Sequence, residues 1–196
     1  MTRTMSTARH RFPLLAPESL TPEQRAVYEA IANGPRGGGP LPIVDEAGHL
    51  TGPFNALMYV PALATQVQRL GVALRFEGTL PARTRELVIC AVAAEVDSDY
   101  EWYAHRRMAL EVGISSTELD GLRNGALLAG LSAAERSALR LAHALLRDHV
   151  VDDSVHAEVS ADHGHEGLVE IAVLVGYYQL LAGVLAAADV RAPASD

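Results

Sequence analysis

The chain has no lysine; all sixteen of its basic residues are arginine. Schiff-base chemistry on a lysine amine is therefore excluded. An anionic substrate would meet guanidinium groups, which grip a carboxylate through paired hydrogen bonds. Cysteine is nearly absent too. Cys90 stands alone, so no intramolecular disulfide and no cysteine-pair redox cycle can form. Its apolar neighbours predict an inert, buried thiol. Aromatic residues make up 5% of the chain, while alanine and leucine dominate, which favours helix over sheet. There is no excess of positive charge: the formal net charge is −8, which argues against binding nucleic acid or an anionic membrane. No uninterrupted apolar run reaches the roughly 18 residues of a membrane span. The nearest candidate, 168–190, carries Glu170, Tyr177, Tyr178, Gln179 and Asp189 and reads as a buried core helix. The first twelve residues are basic but have no apolar stretch of a secretory leader, so a cytoplasmic protein is expected.

What is present is helix. Hydrophobic residues are 49% of the chain, enough for one sizeable core in 196 residues. Residues 1–20 read as an arm, 21–190 as a single all-helical domain and 191–196 as a tail. Thr21-Pro22-Glu23-Gln24 opens a helix with a capping box and proline in the first turn. The loop that follows, 34–53, contains Pro35-Arg36-Gly37-Gly38-Gly39-Pro40. No Gly-Lys-Ser/Thr follows the glycines, so this is a flexible loop, a lid or an oligomer arm rather than a phosphate cradle. Helical length and period then recur at 54–60, 62–77, 81–96, 98–112, 116–124, 132–149, 152–162 and 166–189. The fold class is all-α. Two of these segments, 87–94 and 168–188, are apolar on every side. One chain of this size is not expected to bury both, which predicts that a second subunit covers part of them.

The chemistry concentrates in Ser98-Asp99-Tyr100-Glu101-Trp102-Tyr103-Ala104-His105. Glu101 and His105 lie one turn apart on one helix face, a spacing that suits proton transfer. Met108 and Val112 continue that stripe, so it faces inward, and inward ionisable groups need partners or a function. Glu86 enters the apolar run of the preceding helix. Each residue also has a plain reading. Ser98-x-x-Glu101 is a capping box like Ser115-x-x-Glu118 and Ser132-x-x-Glu135. His105 can be a satisfied core histidine, and Glu86 a first-turn carboxylate favoured by the helix dipole. Metal ligation by Glu101 and His105 lacks a third ligand at fixed spacing, even with His163 and His165 in the chain, so no metal is expected.

Together these residues resemble the carboxymuconolactone decarboxylase family of the alkylhydroperoxidase D-like superfamily. The likeness runs through Leu80-Pro81, Arg85-Glu86-Leu87, Tyr100 to His105, Gly113-Ile114-Ser115 and Glu118, with weaker echoes at Leu20-Thr21-Pro22, Gly52-Pro53-Phe54 and Gly176-Tyr177-Tyr178. It implies an alkylhydroperoxidase D-like helical bundle assembled as a trimer or hexamer. In the peroxidase branch a Cys-x-x-Cys pair precedes the motif histidine, and a glutamate on the preceding helix relays protons. Glu86 matches that glutamate and His105 that histidine. Ser98 and Glu101 fall where the two cysteines would be, so a dithiol peroxidase cycle is excluded. The resemblance therefore implies a cofactor-free lyase of the decarboxylase type. Its catalytic set is Glu86, Glu101 and His105, and its substrate-binding candidates are Arg85, Tyr100 and Trp102, with Arg83 and Arg106 ranked behind Arg85. The implied substrate is a small carboxylated lactone or related organic acid. An isomerase, hydratase or cyclase on the same scaffold, or a non-catalytic ligand-binding oligomer, are the alternatives.

Overall fold

The computed structural model describes residues 11–38, 40–126 and 129–193. The arm expected over 1–20 is thus described only from Arg11 onward, and the last three residues of the expected tail lie outside the description. Among the described residues the chain forms α-helices α1 (Pro22–Ala32), α2 (Phe54–Leu57), α3 (Pro61–Val72), α4 (Ala82–Glu95), α5 (Asp99–Glu111), α6 (Ser116–Arg123), α7 (Ala133–His143) and α8 (Asp153–Ala188). One isolated antiparallel bridge, Val44 to Leu50, is the only extended pairing among them. The all-helical expectation holds. Two π-helical turns, Ala73–Glu77 and Ala144–Asp148, prolong α3 and α7.

Helix α4 is the spine. Pro81 starts it, and Leu87 to Ala93 are all buried. Its two sides feed two separate apolar clusters. Val88, Ile89 and Val92 pack with Val27, Met58, Leu74, Ile171 and Leu174. Leu87, Cys90, Ala91 and Ala93 pack with Trp102, Ala109, Ile114, Leu119 and Leu122. Each fully buried Leu, Ile or Val contributes about 1.5–3 kcal/mol of burial, so a polar face on α4 would have been costly. This corrects half of the subunit argument: the chain's own α5, α6, α7 and α8 pack around α4 and leave Leu87 to Ala93 buried.

Helix α8 behaves differently. Its most apolar stretch is long enough to cross a membrane by composition, yet half of that window is packed inside the fold. Ile171, Leu174, Val175, Tyr178 and Leu181 face the core. Val169, Val173, Gly176, Leu180 and Gly183 form an exposed apolar stripe on the other side. The break expected between the segments 152–162 and 166–189 is present as one non-helical residue, Gly164 (φ 68°, ψ 178°), within the helix. That conformation is open to glycine and costly for a residue with a Cβ.

Between α4 and α5 the turn is three residues long. Asp97 takes the left-handed conformation (φ 51°), and the Ser98 amide donates to the Ala93 carbonyl at 2.9 Å. This closes the end of α4 and sends α5 back along it, which brings Glu101 and His105 opposite Glu86. Arg83 ties the far ends together. Its Nε donates to Glu135 at 2.7 Å, and its Nη atoms reach Glu118 and the Gly113 carbonyl.

Candidate active site

Three ionisable side chains meet in the interior. Glu86, Glu101 and His105 are 2%, 4% and 4% exposed, so each must be satisfied by the protein or a ligand. The His105 Nδ1 lies 2.8 Å from Glu86 Oε2, and its Nε2 lies 3.5 Å from Glu101 Oε2. The imidazole is therefore held between two carboxyl groups, one at each ring nitrogen. The edge of Tyr178 fixes its plane, with ring centroids 4.8 Å apart and an interplanar angle of 86°.

The two carboxyls are driven in opposite directions. Burial raises Glu86, but the imidazole of His105, which also hydrogen-bonds it, and the charges of Arg75 and Arg85 outweigh that, so its pKa falls below the ordinary 4.5. Burial also raises Glu101, and there it wins: the opposing pull of His105 and Arg75 is not enough. Glu86 is thereby biased towards its ionised form and Glu101 towards its protonated form. Two titratable groups pushed apart around one imidazole are the usual signature of divided acid and base roles.

The capping-box reading of Glu101 fails in the structure. Ser98 caps α5 by position, but its side chain accepts no hydrogen bond from the helix. The boxes at Thr21, Ser115 and Ser132 all close in both directions. Glu101 has turned inward instead.

A small cavity of about 70 Å³ opens beside Glu101 and His105. A single water needs about 10–15 Å³ of such space, so there is room for a compact ligand. Tyr100, Met108, Tyr177 and Tyr178 line it, and the loop after α1 contributes Arg36, Leu41, Pro42, Ile43 and Thr51. That loop roofs the site. A larger cavity of about 240 Å³ lies on the far side of Tyr100 and shares Leu41, Pro42 and Thr51 with the first.

The remaining sequence candidates separate. Tyr100 lines both cavities. Trp102 does not line the reactive one: it is buried in the second apolar cluster, with the Arg123 guanidinium 5.0 Å from its ring centre. Arg85 is also outside the lining, with its Nε 3.9 Å from Glu86 Oε1. Arg83 is committed to Glu118 and Glu135. The cations that do face the cavity are Arg36 and Arg75, which periodicity did not single out. Arg36 was hidden in the proline- and glycine-rich loop, and Arg75 in a helical apolar segment. The one available signal was the shared helical face of Gln68, Gly71 and Arg75. Cys90 is buried in the second cluster, where burial pushes its thiol far up. His143 is half-buried against Glu95. His163 contacts the Ala134 carbonyl at 2.8 Å, and among the described residues no three His, Cys, Asp or Glu side chains are grouped to hold a metal.

The fold and site define a helical bundle built around a buried histidine held between two carboxyls. Residues 61–144 match the carboxymuconolactone decarboxylase family, from the start of α3 through α7 and across all three ionisable residues. The resemblance seen in the sequence is thereby shown for that segment. A peroxidase-related protein with an alkylhydroperoxidase AhpD core from Ralstonia eutropha superposes with a TM-score of 0.73 at 18% identity, covering 94% of this chain and 93% of that one. The debrominase Bmp8, in a variant bound to 2,3,4-tribromopyrrole, superposes at 0.66 with 16% identity, covering 95% of each chain. A putative antioxidant defence protein AhpD from Agrobacterium tumefaciens gives 0.65 at 16% identity, covering 74% of this chain and all of that one. These likenesses share the AhpD-like fold. No curated protein matches the chain in sequence.

Proposed function

We propose that this protein is a cofactor-free lyase of the decarboxylase type, acting on a small carboxylated lactone or related organic acid. The observation that carries the reading is the division of the two carboxyls about His105 beside a small cavity. Glu86 accepts from the Nδ1–H and keeps the imidazole in one orientation and tautomer, with Nε2 turned to Glu101. In the substrate the carbon–carboxylate bond breaks, CO2 leaves, and the electron pair remains on carbon as a dienolate conjugated to the lactone carbonyl. Glu101 hands its proton to His105 Nε2, giving an imidazolium that Glu86 stabilises, and the Nε2–H delivers that proton to the carbon. Solvent restores Glu101, so the net change is the exchange of CO2 for one proton. The loop over the cavity keeps bulk water from competing for the carbanion.

The test is CO2 release from a carboxylated lactone with a chelator and a thiol-blocking reagent present. Turnover persists under those conditions and falls about 10²–10⁴-fold in His105→Ala and Glu101→Gln. Undiminished turnover in both variants sinks the mechanism. The reading includes self-association with a second copy of the chain, supported by the uncharged exposed stripe from Val169 to Gly183 on α8. Light scattering gives the mass; a monomer at micromolar concentration removes that part.

A further inference from the structure

Two guanidiniums line the reactive cavity, and among the described residues neither is in direct ion-pair contact with a carboxylate. Arg36, on a short 3-10 turn (Pro35–Gly38), is 7% exposed and lies 5.4 Å over the Phe54 ring. Its one hydrogen bond among the described residues is a long 3.4 Å contact from Nη2 to the Gln68 carbonyl, and its Nε–H has no partner. Arg75, on the π turn after α3, donates from Nη2 to the Met108 sulfur at 3.0 Å, and its buried Nε–H is also unpaired. Among the described residues neither comes within 4.0 Å of an Asp or Glu oxygen as an ion pair does. The Tyr177 hydroxyl is buried beside the Arg36 guanidinium and has no other polar partner among the described residues. A buried cation without a counter-charge in direct contact is expensive, and two in one cavity repel each other as well.

The backbone makes room for this arrangement. A Cβ at Gly71 would overlap both the Tyr177 hydroxyl and Arg36 Nη2. Glycine at that position is what lets the two groups sit against α3. Arg36 and Tyr177 also fall outside residues 61–144, so this part of the cavity is not carried by the family-matching segment.

We propose that Arg36 and Arg75, with the Tyr177 hydroxyl, form a binding site for the carboxylate of a small organic acid, holding the rest of that molecule against Glu101 and His105. The proposal rests on the lyase reading for the identity of the neighbouring groups, but it concerns binding, which is measured without turnover. A bound carboxylate supplies a counter-charge in direct contact and accepts from the unpaired Nε–H groups and the Tyr177 O–H. Because Arg36 rides on the loop that roofs the cavity, the anion also ties that loop down over the reacting carbon.

The experiment titrates the full chain with 2-furoate, with its uncharged amide furan-2-carboxamide, and with inorganic phosphate. Calorimetry gives affinities, and arginine Nε–H resonances report the two side chains. The expected result is saturable furoate binding at least tenfold tighter than the amide and tighter than phosphate, with shifts at Arg36 and Arg75 Nε–H. Arg36→Gln and Arg75→Gln each weaken furoate at least tenfold, with circular dichroism confirming the helices; the lysine variants, which keep the charge but lose the planar fork, fall between. Gly71→Ala weakens furoate without removing any charged group. Equal binding of acid and amide, unmoved Nε–H resonances, no saturable furoate binding, or a preference for phosphate each overturn the proposal. Glu101→Gln separates the two claims. It retains furoate binding if the anion site is correct, whereas full turnover in the same variant defeats the lyase reading and leaves the anion site standing.

Discussion

The starts of α5 and α6 carry the same pattern, serine followed three residues later by glutamate, and do opposite things with it. At Ser115 the glutamate folds back, accepts from the Ser115 amide at 2.8 Å and binds Arg83 as well. At Ser98 the glutamate leaves its cap open and goes into the core, 3.5 Å from the His105 imidazole. Solvent explains the first choice: the α6 start is exposed, and a capping carboxylate costs little there. The second choice forgoes a cap and buries a carboxyl, and is stable only because α4 and the cavity loop surround it. A glutamate that declines an available cap has been recruited for something else.

The comparison can be broken first through activity. Glu101→Gln should cut turnover about 10²–10⁴-fold, or about 3–5 kcal/mol of barrier, whereas Glu118→Gln should leave the rate nearly unchanged. Parallel losses would mean that both glutamates are structural. Next in size is Arg83→Ala, which strips the shared partner from the closed boxes at Ser115 and Ser132. Denaturant melts should show a loss of about 2 kcal/mol. Ser115→Ala should cost about 1 kcal/mol, and Ser98→Ala only about a few tenths, because one removes a working cap and the other does not. Equal costs would put Glu101 back in a capping role.

The pH dependence separates the same two glutamates. Glu101 is raised in the folded chain, so the stability it lends is complete below the ordinary 4.5 and is lost as pH rises through its folded value. Glu118 is lowered by its bonds to Ser115, and the stability it lends is present above 4.5 and lost as pH falls through its folded value. Thermal melts should therefore show Glu101→Gln gaining on the parent chain as pH rises, and Glu118→Gln losing.

Much of this was legible in the sequence for local reasons. Helix lengths, the breaks between successive helical segments, and the closed boxes follow from rules that act within one turn. The inward stripe through Glu101, His105 and Met108 was legible because helical period alone sets it. The choice between cap and core was not, since a capping box and a buried carboxyl share one sequence pattern and only the neighbouring α4 decides between them. Arg36 and Arg75 were missed for a related reason. They sit 39 positions apart on a 3-10 turn and a π turn, and no period links such elements. Trp102 and Arg85 were over-read because being next to Glu101 and Glu86 in sequence turns a helical side chain about 100° away from its neighbour. The cover over α4 came from a division of the core into two clusters that composition does not reveal.

The central claim is that His105 stands between one carboxyl whose pKa is lowered and one whose pKa is raised. Carbon-13 detection of the glutamate side-chain carboxyls across a pH titration reads this directly, with Glu86→Gln and Glu101→Gln assigning the two signals. The account predicts that the Glu86 signal titrates below the ordinary glutamate range and the Glu101 signal above it. Both carboxyls titrating together in the ordinary range, or in the reverse order, would contradict it.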